Sequence, residues 1–365
     1  MTLPALPLIF NPLYKETIWG GHALGSRYNR PLSPDRTIGE SWEIVSHGAD
    51  QSVVIRGPLA GKTLGAIVAQ ESPTLLGKIE TFGKFPLLIK FIDAQERLSV
   101  QVHPNDLQAR TYGWGEFGKT ECWYIIDAKK NARIIAGFKA PVSREAINHA
   151  IETNSLENLL NEIPIHPGDV VFLPAGVVHA IMEGTLVYEV EETSDATLRL
   201  YDWGRVDGAG RPRLLHVHEA LRVIDTRALG DCRIPPLTIE EKGYRHSYRL
   251  ACRYFALEHY AYDRQEEIIL PAKQSFRIIT VLSGGLELKF PAGVAELSMG
   301  MTALLPALLR DVRAIGAAGT ELILSSVPDL QAEIITPLRN SGIPLNGIAP
   351  IGGVKEYNDL IRFTS

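Results

Sequence analysis

The segment from residue 98 to residue 125, LSVQVHPNDLQARTYGWGEFGKTECWYI, constrains this chain more than any other. At its start, apolar side chains alternate with polar ones, and a period of two predicts a half-buried β-strand. On such a strand Gln101 and His103 project to the same face. After a turn, a second apolar run, residues 122 to 126, begins directly behind Glu121. We expect pairing of these two strands to bring Glu121 beside His103.

A second histidine is predicted to join the same face. His179 follows a Pro-Gly-Asp turn and a Pro-Ala-Gly break in the sequence PGDVVFLPAGVVHAI. Any one such residue alone is more often an ordinary hydrogen-bonded side chain than a ligand. Together they offer an amide oxygen, two imidazoles and a carboxylate from three strands of one sheet, which suits a divalent metal, zinc first. The predicted ligands are Gln101, His103, Glu121 and His179, with Gln101 the weakest.

The order of these residues resembles the two split motifs of the cupin superfamily. More narrowly, WGG near the start, GESWE, LSVQVHPND, GKTECWY, FLPAGVVHA and LRLYDW are similar to the type I mannose-6-phosphate isomerases in their short bacterial form. The matches run in the expected order through roughly the first 205 residues. The resemblance implies one Zn²⁺ per chain, with other divalent ions as alternatives, and a small sugar phosphate as the substrate.

Two cations are predicted to act in that chemistry. Converting an aldose to a ketose moves a proton from C2 to C1 through an enediol or enediolate, and a guanidinium stabilises the developing charge. The family resemblance places Arg199 in this role, although by its pattern alone it would pair with Asp195 or Asp202 on a strand surface. Lys119 lies two residues before Glu121, so in an extended segment the two side chains project to the same face. There Lys119 is predicted to contact the sugar phosphate or to move a proton. An exposed, solvated lysine is the alternative.

The general base stays open at this stage. Glu189 and Glu191 point to one face of their predicted strand, and we place Glu189 among the substrate-binding residues with Lys119 and Arg199. Short family members often carry an amide at the second of these positions, so Glu191 departs from the pattern. Glu183 is a further candidate.

Composition and charge limit which binding partners and which cell compartment we expect for this protein. The 365 residues carry a formal net charge of −5, which gives no electrostatic footprint for nucleic acid. Three widely spaced cysteines without a CxxC fit a reduced, cytoplasmic protein. The start lacks the basic region of a signal peptide, and no apolar run reaches the length of about 18 residues that spans a membrane. The sequence leaves the oligomeric state open.

The strand and turn patterns predict a mainly β protein with two cupin-type (jelly-roll) β-barrels and a small helical insert. We place a catalytic cupin domain at 1–225 with its insert at about 143–161, a cupin-like domain without metal ligands at 245–330, and an extension of unassigned role at 331–365. The second barrel is predicted by aligning PGDVVFLPAGVVHAI with MGMTALLPALLRDVRAI, which sets Asp311 over His179. The carboxylate position then falls at Ser275 or Phe276.

These features predict a metal-dependent isomerase that interconverts mannose 6-phosphate and fructose 6-phosphate. A cupin metal oxygenase is one alternative, but dioxygen chemistry usually uses two histidines and a carboxylate without an amide ligand, so Gln101 argues against it. A non-catalytic sugar-phosphate sensor is the other. A sensor should have lost a metal ligand or Arg199, and this chain keeps them all.

Overall fold

Antiparallel β-sheet dominates the computed structural model, which describes residues 4–79, 81, 83–206 and 209–363. By contacts the chain divides into two compact units. We call residues Tyr14–Trp42 and Leu88–Arg233 the central unit, and the residues up to Leu13, Glu43–Leu87 and those from Ile234 onwards the terminal unit. The predicted boundaries near residues 225, 245 and 331 stay predictions, because these units are defined by contacts and not by independent folding.

Two antiparallel sheets supply the strands of the central unit. In spatial order, the six-stranded sheet contains Val170–Leu173, Glu121–Ala128, Thr185–Glu192, Leu87–Ala94, Leu13–Gly21 and Ile38–Ile44. The five-stranded sheet contains Leu160–Pro164, Arg133–Phe138, His179–Ile181, Val100–Val102 and Leu198–Tyr201.

Two helices cover one face of the five-stranded sheet. Arg144–Glu152 and Val217–Val223 pack with alternate strand residues into one apolar cluster. Its strand members include Val100, Val102, Ala180, Leu198 and Leu200, and Val178, directly before the strand His179–Ile181, joins them. Because side chains alternate across a strand, the residues between them face the opposite side, and this leaves that face for polar groups.

The predicted helical insert is present. Ser143 caps its first helix, since the Ser143 hydroxyl oxygen accepts a hydrogen bond from the Ala146 backbone N–H at 3.1 Å. A short 3₁₀ turn, Leu156–Asn158, follows. The insert ends slightly earlier than predicted, because Leu160 already pairs with Phe138 in the sheet.

The terminal unit has two further antiparallel sheets and a short strand pair. The seven-stranded sheet contains, in spatial order, Leu8–Ile9, Thr302–Leu305, Arg277–Ser283, Glu321–Ser326, Ala256–Tyr262, Tyr244–Ala251 and Leu237–Glu241. The four-stranded sheet contains Glu266–Ile269, Arg313–Gly316, Gly285–Phe290 and Gly293–Ser298, and the pair is Ser46–His47 with Asp50–Gln51. Apolar side chains from the two larger sheets meet in one core. The mainly β, two-barrel prediction is therefore confirmed.

The remaining helices are short. They are Ala23–Tyr28, Leu64–Leu76, Asp106–Tyr112, Thr336–Asn340 and Leu345–Ile348, with a π-helix at Leu330–Ile335 and 3₁₀ turns at Ala349–Gly352, Lys355–Tyr357 and Ile361–Phe363. Leu338, Ile348 and Leu360 are buried, so the segment after residue 330 is packed. Within the described ranges no helix is long and apolar enough to cross a membrane.

Candidate metal centre

Three of the four predicted ligands converge in the central unit. The ligand atoms of His103, Glu121 and His179 all lie within 4.8 Å of one another, and all three residues are buried. Nε2 of His103 is 3.2 Å from Oε1 of Glu121, and Nε2 of His179 is 3.2 Å from Oε2. The fourth, Gln101, lies at the edge of this group, with its side-chain nitrogen 3.3 Å from Nε2 of His179.

The expectation that these residues belong to one sheet is wrong. Gln101 and His179 are direct partners in the five-stranded sheet, whereas Glu121 begins a strand of the six-stranded sheet. The helix Asp106–Tyr112 and the turns beside it carry the chain from one sheet to the other. His103 and Glu121 meet because the polar faces of the two sheets oppose each other, and not through strand pairing.

Backbone carbonyl groups orient both imidazoles. Nδ1 of His103 lies 2.9 Å from the carbonyl oxygen of Ala196, and Nδ1 of His179 lies 2.9 Å from that of Val177. A carbonyl can only accept a hydrogen bond, so in the neutral ring each Nδ1 carries the proton and each Nε2 keeps its lone pair. Each Nε2 lies 3.2 Å from an oxygen of Glu121. Acceptors in such contact repel one another unless a cation lies among them, so the set fits a divalent metal.

Hydrogen bonding and charge agree with this interpretation. Nε2 of His103 and both carboxylate oxygens of Glu121 are buried without an aligned hydrogen bond, although Nζ of Lys119 is 2.9 Å from Oε1. Burial and the Lys119 ammonium lower the pKa of His103 to about 4. Burial would raise the pKa of Glu121, but the Lys119 ammonium lowers it well below its usual range. A neutral imidazole and an ionised carboxylate are the forms that bind metal.

Arg199 lies on the same face as the proposed amide ligand. It is the direct partner of Gln101 in the neighbouring strand, so the two side chains project to one side. Its Nη1 donates to the carbonyl oxygen of Leu214 at 2.9 Å, and its Nε donates to Oγ of Ser99 at 3.2 Å. The carboxylate of Asp202, by contrast, accepts hydrogen bonds from two other arginines, Arg205 and Arg213.

Comparison with known proteins identifies the family of this chain. A family model described as the catalytic domain of type I phosphomannose isomerase matches residues 8–114. A putative mannose-6-phosphate isomerase of Bacillus subtilis (strain 168), YvyI, is 38% identical over 305 residues, which are 84% of this chain and 94% of that protein. The chain belongs to the mannose-6-phosphate isomerase family. The mannose-6-phosphate isomerase ManA of the same organism is 43% identical over 223 residues, 61% of this chain and 69% of that protein.

Solved structures of the family share the fold. The crystal structure of the mannose 6-phosphate isomerase from Bacillus subtilis superposes with a TM-score of 0.80 at 37% identity, and covers 87% of this chain and 99% of that one. A putative mannosephosphate isomerase from Archaeoglobus fulgidus gives a TM-score of 0.68 at 22% identity over 90% of this chain and 99% of that one. The second likeness concerns the fold alone.

A buried lysine that the sequence interpretation did not single out lies beside the candidate metal centre of this family member. Nζ of Lys90 is 2.8 Å from Oε1 of Glu191 and 3.1 Å from Oε2 of Glu189. Burial alone would lower the pKa of Lys90, but Glu189, Glu191 and Glu40 raise it well above its usual value. The signal was available, because a lysine inside the apolar run FPLLIKFI needs a buried partner.

Lys119 joins the same charge cluster from the other side. Its Nζ is 3.1 Å from Oε2 of Glu191 as well as close to Glu121. Although burial alone would lower the pKa of Lys119, Glu121 and Glu191 raise it. The lysine is thus buried, and not the exposed side chain that the alternative required.

The candidate bases occupy different environments. Burial raises the pKa of Glu191 well above its ordinary value, and that residue is fully buried. Glu189 accepts a hydrogen bond from Nε1 of Trp123 at 2.7 Å. Glu183 lies exposed on the turn between two strands.

The GESWE segment also reaches this cluster. Nε1 of Trp42 donates to Oε2 of Glu40 at 2.6 Å, and the same oxygen is 4.0 Å from Nζ of Lys90. The Lys90 ammonium lies 5.3 Å from the centre of the Trp42 ring. The cluster is therefore bounded on this side by the Trp42 ring.

Replacing Lys90 by methionine should destabilise the protein strongly. Glu189 and Glu191 would keep buried carboxylates without their nearest ammonium, and breaking a buried ion pair from one side costs about 3–5 kcal/mol. Urea unfolding at matched metal content measures the change. The control is Lys130→Met, because Lys130 is an exposed lysine in the same unit. Equal midpoints for the two variants would contradict the buried-pair interpretation.

Proposed function

We propose that this chain interconverts mannose 6-phosphate and fructose 6-phosphate with one divalent metal ion, zinc, bound by His103, Glu121 and His179 and by the amide of Gln101. The observation that carries the proposal is the convergence of two imidazole Nε2 atoms on one buried carboxylate, each 3.2 Å from one of its oxygens. When bound there, the ion supplies Lewis-acid stabilisation of negative charge on the sugar oxygens at C1 and C2. We also propose that the enzyme acts in the cytoplasm.

Arg199 supplies a second, permanent cation on the same face. Burial and the nearby Arg213 lower its pKa from that of a free guanidinium, yet arginine stays protonated in proteins. Its Nη1 and Nε are already oriented by Leu214 and Ser99, which fixes the plane of the group before substrate arrives. A pre-oriented guanidinium stabilises enediolate charge without reorganisation.

In this proposal the charge cluster of Lys90, Lys119, Glu189 and Glu191 transfers protons and binds the sugar hydroxyl groups. Burial raises the pKa of Glu191, and Lys119 lies between Glu191 and Glu121 as a bridging donor. We assign Lys119 to the substrate oxygens near the metal ligands, and Glu189 to the sugar hydroxyls. Transfer of the C2 proton then needs a carboxylate of this cluster as the base, since a buried carboxyl with a raised pKa is suited to proton exchange near neutral pH.

Removing the metal tests the proposal. Dialysis against a chelator should abolish conversion of mannose 6-phosphate in a coupled assay for fructose 6-phosphate, and added Zn²⁺ should restore it, because only an ion relieves the acceptor contacts at Glu121. Metal analysis of the same preparation should give one ion per chain. Full turnover by a metal-free preparation would refute the metal-dependent mechanism. Zinc binding without any turnover would favour the sugar-phosphate sensor.

A further inference from the structure

A second cavity lies in the terminal unit, away from the residues proposed for isomerisation. Its volume is about 570 Å³, within the range of roughly 300–1,000 Å³ that is usual for small-molecule sites. Every residue that lines it belongs to the terminal unit. The charged lining residues are Lys78, Lys273, Arg310 and Glu333.

The strands behind this cavity repeat the arrangement of the metal centre. In the central unit Glu121 is paired with Leu173 on one side and Glu191 on the other. In the terminal unit Arg277 is paired with Leu305 on one side and a serine on the other. Leu173 and Leu305 each precede a proline, at the positions that the sequence repeat aligns. Arg277, and not Ser275 or Phe276, therefore occupies the place of the metal carboxylate.

The charge at this position is inverted. Arg277 is almost fully buried, and its guanidinium donates to the carbonyl oxygens of Pro271 and Leu309. These two residues flank Ala272 and Leu308, which line the cavity. A fixed cation thus stands behind the wall of the cavity, where the central unit presents a carboxylate. Such a position favours a negatively charged ligand over a metal ion.

Two lining cations are available to that ligand. Lys78 and Arg310 are exposed, and within the ranges described above neither makes an ion pair. Lys273 is occupied, because its Nζ is 2.9 Å from Oε1 of the buried Glu258.

Glu333, the carboxylate among these lining residues, already accepts backbone hydrogen bonds. The oxygens of Glu333 accept hydrogen bonds from the backbone N–H groups of Gln274, at 2.5 Å, and Asp329, at 3.3 Å. Burial in addition raises the pKa of Glu333. An ammonium and a planar guanidinium at one cavity are the groups that commonly bind phosphate.

We propose that this cavity binds the phosphate group of a small phosphorylated molecule through Lys78 and Arg310. The volume leaves room for an organic part beside the phosphate, against the apolar side chains of Pro73, Ala307 and Leu308. The site is separate from the proposed isomerase chemistry, and it would hold even if that proposal failed.

Phosphate binding to the metal-loaded enzyme tests this site, with inorganic phosphate as the probe in equilibrium dialysis. The double variant Lys78→Ala/Arg310→Ala should weaken one binding component at least about tenfold, since two charge-assisted hydrogen bonds are lost. Its kcat should equal that of the parent, because neither residue belongs to the metal centre. Lys242→Ala, which removes an exposed lysine of the same unit outside the cavity, should change neither.

A second variant separates this cavity from the metal centre. Glu121→Gln should lose the phosphate component that depends on the metal centre and keep the one that depends on Lys78 and Arg310. If Glu121→Gln abolished all phosphate binding, or if the double variant bound phosphate like the parent, the cavity would not be a phosphate site. Thermal unfolding of each variant confirms that the comparison is made on folded protein.

Discussion

Replacing Glu121 by glutamine should release the metal and lower kcat by roughly 10³-fold or more, because Lewis-acid stabilisation contributes several kcal/mol and each 1.36 kcal/mol is a factor of ten. The amide has only one acceptor oxygen, and its NH₂ group would donate to one imidazole. The lone-pair contacts that favour a cation, at 3.2 Å on either side, would thereby be relieved. The fold should survive, since apolar clusters and not the metal hold the sheets together.

Metal content by mass spectrometry and steady-state kinetics on the same preparation measure this effect. Glu183→Gln is the matched control, because Glu183 is an exposed carboxylate on a turn of the same unit. We expect that variant to keep both metal and turnover. Retention of one metal per chain by Glu121→Gln would show that this carboxylate is not a ligand. Equal losses in both variants would point to a general effect of charge removal.

Replacing Arg199 by lysine should lower kcat by roughly 10² to 10³ while metal content stays the same, the scale expected for loss of one oriented donor at a charge that develops in the reaction. Lysine keeps the positive charge but loses the planar fork that Leu214 and Ser99 orient. The charge appears only along the reaction path, so KM should change much less than kcat.

A conservative change elsewhere provides the comparison for Arg199. Arg133→Lys alters an exposed arginine of the same sheet, 3.7 Å from a glutamate, and should leave both constants unchanged. An unaltered kcat in Arg199→Lys would leave Arg199 as a structural link between its strand and the chain around Leu214. A raised KM with normal kcat would instead assign it to phosphate binding.

The sequence predicted the members of the candidate metal centre better than their arrangement. Local alternation places Gln101 and His103 on one face, and that follows from the two-residue period of a strand. Which strand Glu121 would join is a long-range property, because it depends on how the sheets stack. The chain between the two residues is long enough to cross from one sheet to the other, so the assumption of direct pairing failed.

Strand register explains why the sequence analysis placed the carboxylate position of the second barrel at Ser275 or Phe276 and not at Arg277. The sequence repeat is weak there, and a slip of one or two positions moves a residue to the other face or along the strand. Only the observed pairings, Arg277 with Leu305 and Glu121 with Leu173, identify the equivalent positions. Lys90 was missed for a different reason, since a continuous apolar run predicts a buried strand and gives no partner for a charge within it.

The guanidinium of Arg277 also bears on how the two units would respond to the supply of the proposed metal in a growing cell. The ion proposed for the central unit would have to be acquired after synthesis and could be withdrawn by competing ligands. At the equivalent position the terminal unit carries a cation that is covalently part of the chain and is held by two backbone carbonyl groups. If the proposed metal is zinc, zinc starvation would stop the chemistry of the central unit, whereas the buried charge of the terminal unit stays satisfied from the moment that unit folds.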